Sequence, residues 1–145
     1  MKLQSLPCYC ATLRQAARAA TAFYEEALAD SGVRATQFTI LQVLKIAAGL
    51  QTTEVGQLLG IDQTTATRTL ALMRKNKLVA DSTGADRRER RWHLTALGES
   101  TYRRLLPRWQ AAQATVERRL GRTEALALKQ HAFRAASAFS AGKND

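Results

Sequence analysis

From Thr53 to Met73 the apolar residues Val55, Leu58, Leu59, Ile61, Ala66, Leu70 and Met73 keep helical spacing on both sides of Gly60. Two short helices must therefore share one core. Gly60 can take the positive φ that ends the first helix. Asp62 is placed to cap the second, with Ile61 before it and Ala66 after it as a staple pair. Helices joined this tightly read as a helix-turn-helix.

With Asp62 as N-cap, the positions opposite the Ala66, Leu70, Met73 stripe are Thr64, Thr67, Arg68, Ala71 and Lys75. Short hydroxyls can bond to phosphates or base edges, Arg68 has the fork that fits guanine O6 and N7, and Ala71 can meet a thymine methyl. The candidate DNA-contacting set on this helix is Gln63, Thr64, Thr65, Thr67, Arg68, Arg74 and Lys75. A solvated helix face also favours Thr and Arg, so the pattern needs support from its surroundings.

That support follows directly in the chain. Leu78 to Ser82 reads as a strand, Thr83 to Asp86 as a turn, and Arg90 to Leu94 as a returning strand with Trp92 and Leu94 on one face. The tip, Asp86-Arg87-Arg88-Glu89-Arg90-Arg91, sets four arginines against two acids, a density that self-repels unless phosphate is near. Arg87, Arg88 and Arg90 join the candidate contacts, since arginine suits the negative potential of a narrow minor groove.

The runs Leu59-Gly60-Ile61-Asp62-Gln63-Thr64-Thr65-Ala66-Thr67-Arg68, Leu78-Val79, Asp86-x-Arg88 and Leu94-Thr95-x-x-Gly98 resemble the MarR family of winged-helix transcriptional regulators. The resemblance spans nearly the whole chain. It implies a mainly α fold with a small β-hairpin wing, an α+β winged helix-turn-helix with flanking dimerisation helices. It also implies a homodimer that binds a pseudo-palindromic double-stranded DNA operator, one recognition helix and one wing to each half-site. In the family's pattern Asp86 braces the wing through Arg88, while Arg87 or Arg90 enters the minor groove. The chain departs from that pattern at Lys77, where the family has Gly. The recognition helix must then end differently, with Asn76 expected in the left-handed conformation.

Charge agrees with this reading. The chain of 145 residues carries a net +10. Residues 1–61 hold five basic and four acidic groups, residues 62–94 eight and four, and residues 95–145 nine and four, so the excess begins at the recognition helix. There is no apolar run of about 20 residues for a membrane span and no signal-peptide core near Met1, so the expected location is the cytoplasm.

Residues 1–145 are expected to form a single domain, with 35–95 as the DNA-binding part and 6–31 and 96–140 as dimerisation helices. In the first helix, Leu13, Ala17, Ala20, Tyr24 and Ala27 recur at steps of three and four, and it should end near Gly32. A second helix from about Thr36 carries Phe38, Leu41, Leu44 and Ala48 and stops at Gly49. Thr95 should cap a long helix that Pro107 kinks, and Thr123 a last one through Leu126, Leu128, Ala132, Phe133 and Phe139. A winged-helix core needs about 70 residues, and dimerisation is the simplest use for the surplus apolar surface.

Cys8 and Cys10 stand where the first helix begins, a position that makes a thiol more reactive. A disulfide between residues two apart would be strained, and two thiols without further ligands make a poor zinc site. Small thiols in a reducing cytoplasm are the plainer reading, with a redox-sensing repressor as the alternative. His93 should face outward near the wing. The family resemblance implies an effector pocket between dimerisation helices and winged domain, where Arg14, Arg18, Tyr24 and Trp109 would offer cations and aromatic surfaces to an aromatic carboxylate. No catalytic set, metal-ligand spacing or cofactor motif is evident, so neither an enzyme nor a cofactor is expected. A nonspecific architectural DNA binder shares the charge, and a winged helix can also serve protein or RNA contacts, but neither needs Arg68 and the wing arginines to act together.

Overall fold

The computed structural model describes residues 4–84, 86 and 89–141. In chain order the elements are α1 (Tyr9–Ala27), α2 (Ala35–Ile46), β1 (Leu50–Gln51), α3 (Thr52–Leu59), α4 (Gln63–Lys75), β2 (Val79–Thr83), β3 (Arg90–Leu94), α5 (Ala96–Leu120) and α6 (Arg122–Ser140). The strands form one antiparallel sheet in the order β1-β3-β2. The chain divides into two compact units, Met1–Arg108 and Trp109–Asp145.

The first unit is a winged helix-turn-helix. Its core takes Phe38, Ile40, Leu41 and Leu44 from α2, Val55 from α3, Ala66, Leu70 and Met73 from α4, then Val79, Trp92 and Leu105. Phe38 also stacks on Tyr102, with ring centroids 5.8 Å apart. Helix α1 ends at Ala27, five residues before the expected Gly32, because the chain reverses through Asp30 at φ 62° and Gly32 at φ 75°. Glu25 ties α1 to the start of α2: its carboxylate accepts from the Ala35 N–H at 3.0 Å and pairs with Arg34 Nε at 3.3 Å. Helix α2 stops at Ile46, which leaves Ala48 outside it and exposed. The next residues make a strand that the sequence did not suggest, Leu50 opposite Trp92 and Gln51 opposite Arg91. Two residues are too few for alternation to show.

Gly60 closes α3 at φ 65°, with its N–H on the Gln57 carbonyl and the Ile61 N–H on that of Gly56. Leu58, expected in the core, is 63% exposed. The cause is the approach of α4 at Gly56, where a Cβ would lie 3.2 Å from the Ile61 carbonyl oxygen and 3.5 Å from Ala66 Cβ. The buried face of α3 turns toward Gly56 and carries Leu58 to solvent.

The end of α4 also differs from expectation. Asn76 stays at φ −81°, and Lys77 takes the left-handed conformation at φ 59°. The Lys77 N–H bonds to the Arg74 carbonyl and the Leu78 N–H to that of Met73, each at 2.9 Å. This is the paired closure a glycine usually makes, completed by contact-forming residues Met73 and Leu78, both buried.

In the second unit α5 runs from Trp109 to Leu120 and α6 follows. Gly121 at φ 86° is the N-cap of α6, not Thr123, which sits in its first turn. None of the α6 residues is buried; Phe133 is 74% exposed and Phe139 65%. Pro107 lies inside α5, and the helix continues through it to Leu120. Among the described residues no helix is long and apolar enough to cross a membrane.

Candidate nucleic-acid interface

Helix α4 is held by its first turn. Asp62 Oδ1 accepts the Thr65 N–H at 2.9 Å, and Oδ2 accepts the Thr65 hydroxyl at 2.6 Å. The Thr65 hydroxyl first, and then its N–H, hold the Asp62 carboxyl below the usual aspartate value. Thr67 donates its hydroxyl to the Gln63 carbonyl at 2.8 Å. The protons of Thr65 and Thr67 are thus committed within the helix.

Ala66, Leu70 and Met73 face the core, and Thr64, Arg68, Ala71 and Lys75 recur on the opposite side, exposed. Gln63 stands beside them. Among the described residues the side chains of Gln63, Thr64, Arg68 and Lys75 make no ion pair or hydrogen bond, so a hydroxyl, a guanidinium and an ammonium project from one face and the Gln63 amide is exposed in the first turn.

The hairpin is clamped to α4 by a residue that sequence reading missed. Asp81 on β2 places Oδ1 3.1 Å from Arg74 Nη1 and Oδ2 3.3 Å from Arg90 Nη1. Arg74 also lies over the Trp92 ring at 6.0 Å from its centroid, and Trp92 Nε1 donates to Thr52 Oγ1 at 2.9 Å. Arg74 and Arg90, both expected to touch DNA, therefore share one carboxylate. The available signal was register: Asp81 lies opposite Trp92, next but one to Arg90. Arg91 turns inward, donating to the Gly49 carbonyl at 3.1 Å and to Glu89 Oε2 at 3.3 Å. Arg87 and Arg88 lie outside the described residues, as does any brace from Asp86 to Arg88; the Asp86 carbonyl accepts the Glu89 N–H at 2.9 Å. His93 is half-buried, 2.9 Å from Ser82 Oγ through Nε2, instead of facing freely outward.

On α1, Cys8 is the N-cap, its sulfur accepting the Ala11 N–H at 3.3 Å, and Arg14 Nη2 donates to Cys10 Sγ at 3.2 Å. Both thiols are exposed. Arg18 is exposed, while Tyr24 is half-buried, edge-on to Phe23 at 5.5 Å, and its burial pushes the phenol pKa up. Trp109 belongs to the second unit. Among the described residues no group of three or more His, Cys, Asp or Glu could hold a metal ion.

The profile of the MarR family matches residues 31–89. The chain is similar to the transcriptional regulator MosR of M. tuberculosis, solved in complex with DNA: identity is 33%, with 94% of this chain and 98% of MosR covered and a TM-score of 0.85. Its fold also matches the transcriptional repressor CouR bound to a 23-mer DNA duplex, at 20% identity, 93% and 99% coverage and a TM-score of 0.81. PcaV of Streptomyces coelicolor, solved with its natural ligand, shares the fold at 21% identity, 95% and 99% coverage and a TM-score of 0.81. No curated protein matches the chain by sequence.

Proposed function

The chain belongs to the MarR family of DNA-binding transcriptional regulators, and from that premise we propose that it is a homodimeric repressor of a pseudo-palindromic operator, released by a small-molecule effector. The observation that carries the operator reading is the face of α4 bearing Thr64, Arg68, Ala71 and Lys75, exposed and opposite the buried stripe, with Gln63 exposed in the first turn. Arg68 reads guanine, Thr64 and Lys75 bond to phosphate, and a wing arginine, Arg87 or Arg90, enters the adjacent minor groove. MosR, at 33% identity, was solved on DNA.

A second copy of this chain is the partner for its uncovered helices. Neither α1 nor α6 buries a single residue, although they carry Tyr9, Leu13, Leu126, Phe133 and Phe139. Burying both faces in a two-fold interface also sets two recognition helices side by side for one operator. Effector binding that favours a dimer with mis-spaced helices releases the DNA. Arg14, Arg18 and Tyr24 of the first unit are the proposed effector-facing residues, and an aromatic carboxylate suits their chemistry. Light scattering is expected to report twice the 16.0 kDa chain mass. A clean monomer at micromolar concentration rejects the dimer.

The contact of Arg14 with Cys10 Sγ, with Cys8 capping the same helix, favours a second trigger: oxidation of a thiol on α1. Peroxide treatment of the wild type and of Cys8→Ser, Cys10→Ser separates the two. Release of DNA by the wild type alone identifies the thiols as the switch; equal retention by both leaves the effector.

A further inference from the structure

An acid inside an interface for a polyanion opposes binding, yet Asp81 stands between the two basic elements of this one. Its carboxylate is flanked on one oxygen by Arg74 of α4, at 3.1 Å, and on the other by Arg90 of β3, at 3.3 Å. We infer that Asp81 is a specificity-determining positioning residue: it withholds Arg74 and Arg90 from phosphate, so that affinity depends on the exposed face of α4 and less on charge alone. This inference rests on the operator-binding role proposed above.

The geometry carries the step in three parts. Arg74 is held twice, by Asp81 and over the Trp92 ring at 6.0 Å, and Trp92 is itself anchored to Thr52. A planar guanidinium held on an edge and a face keeps one orientation. Second, Asp81 is the less exposed partner in both pairs, its side chain 22% exposed against 45% for Arg74 and 56% for Arg90. A phosphate that captured either arginine would break a pair and leave this carboxylate facing like charge. Third, nonspecific affinity grows with each phosphate neutralised, whereas base reading does not. Removing two arginines from the phosphate count therefore widens the ratio between the correct site and all others. Arg68 and Lys75, without an acidic partner among the described residues, are left to act on DNA directly.

The test uses full-length protein and a duplex pool randomised over about 25 base pairs, enough for two half-sites one turn apart. Wild type is used to select a sequence, and binding to it and to a scrambled duplex is titrated against salt. Asp81→Asn is expected to bind the scrambled duplex more tightly, to steepen the slope of log K against log salt by about 0.9 to 1.8, and to narrow the selected-to-scrambled ratio. Asp81→Glu, which keeps the carboxylate, is expected to restore much of the wild-type ratio. In an Arg74→Met, Arg90→Met background the Asn substitution is expected to change neither slope nor ratio. The same gain in that background would mean a plain charge effect and overturn the inference, as would an unchanged slope in Asp81→Asn itself. Should Asp81→Asn fail to fold, the Arg74→Met, Arg90→Met protein decides: a slope flatter by less than one unit supports withholding, and the full loss of about 1.8 expected for two phosphate contacts refutes it. If wild type enriches no sequence, the operator reading falls and takes this one with it. Enrichment with indifferent Asp81 variants removes only the latter.

Discussion

A Cβ on Gly98 would lie 1.9 Å from the carbonyl oxygen of Leu78. The first turn of α5 thus rests on the backbone that leaves the recognition helix. Thr95 completes the junction: its N–H donates to the Leu78 carbonyl at 3.2 Å, and its hydroxyl oxygen accepts the Gly98 N–H at 2.9 Å. That hydroxyl in turn donates to the Lys77 carbonyl. The end of α4, the start of β2 and the start of α5 therefore meet at one point, and the angle of the recognition helix is set there.

Gly98→Ala is expected to destabilise the fold strongly, because backbone and not a flexible side chain stands in the way. Overpacking of this kind costs about 1–3 kcal/mol or more. Urea unfolding measures it, and a midpoint equal to that of the wild type would show that the junction can open without loss.

Lys77→Gly should act in the opposite direction. Lys77 holds φ 59° while closing α4, a conformation that costs a non-glycine residue about 1–2 kcal/mol. Glycine removes that strain but loses more chain entropy on folding, leaving a net gain on the order of 0.5–1 kcal/mol. An unfolding midpoint below that of the wild type contradicts this, and Lys77→Ala serves as the comparison that should not gain.

What the sequence made legible here was periodic or local. The stripe Ala66, Leu70, Met73, the closure at Gly60 and the cap at Asp62 each depend on neighbours within a turn or two, and all three stand in the structure. The exceptions depend on distant partners. Lys77 is bent into a glycine's conformation by the junction with Thr95 and Gly98, which lie across the hairpin. Leu58 reads as core until Gly56 lets α4 approach from the other side. Asp81 acquires its meaning only when strand register brings Arg90, and helix geometry brings Arg74, to the same carboxylate. Arg74 and Arg90 read as DNA contacts because nothing local reveals that acid between them.

The cap of α4 gives the protein an acid-sensitive element. The Thr65 hydroxyl and N–H stabilise ionised Asp62 and place its folded pKa below the ordinary 3.8. A depressed carboxyl pKa contributes stability that is present above the unfolded value and is lost as pH falls through the folded one. Asp62→Asn keeps an acceptor at the N-cap without a titrating proton. Melting curves from neutral pH down to strong acid should fall less steeply below pH 3.8 for this variant than for the wild type. Parallel curves would mean that Asp62 does not couple to folding.

Arg68 and Lys75 project from the same face of α4 but should fail differently. Arg68→Ala is expected to cost about 1–3 kcal/mol on the selected operator and to relax base preference at one position in each half-site. Lys75→Ala is expected to weaken all duplexes alike and to flatten the salt slope by about one unit. Equal, sequence-blind losses from both would favour an architectural DNA binder.

The most direct test of the whole account is footprinting of wild-type protein on the duplex it selects from a random pool. Two inverted half-sites, each protected and centred about 10 base pairs apart, are the expected result for a homodimer that presents one α4 to each major groove. A single protected half-site, or protection with no enriched sequence, contradicts it.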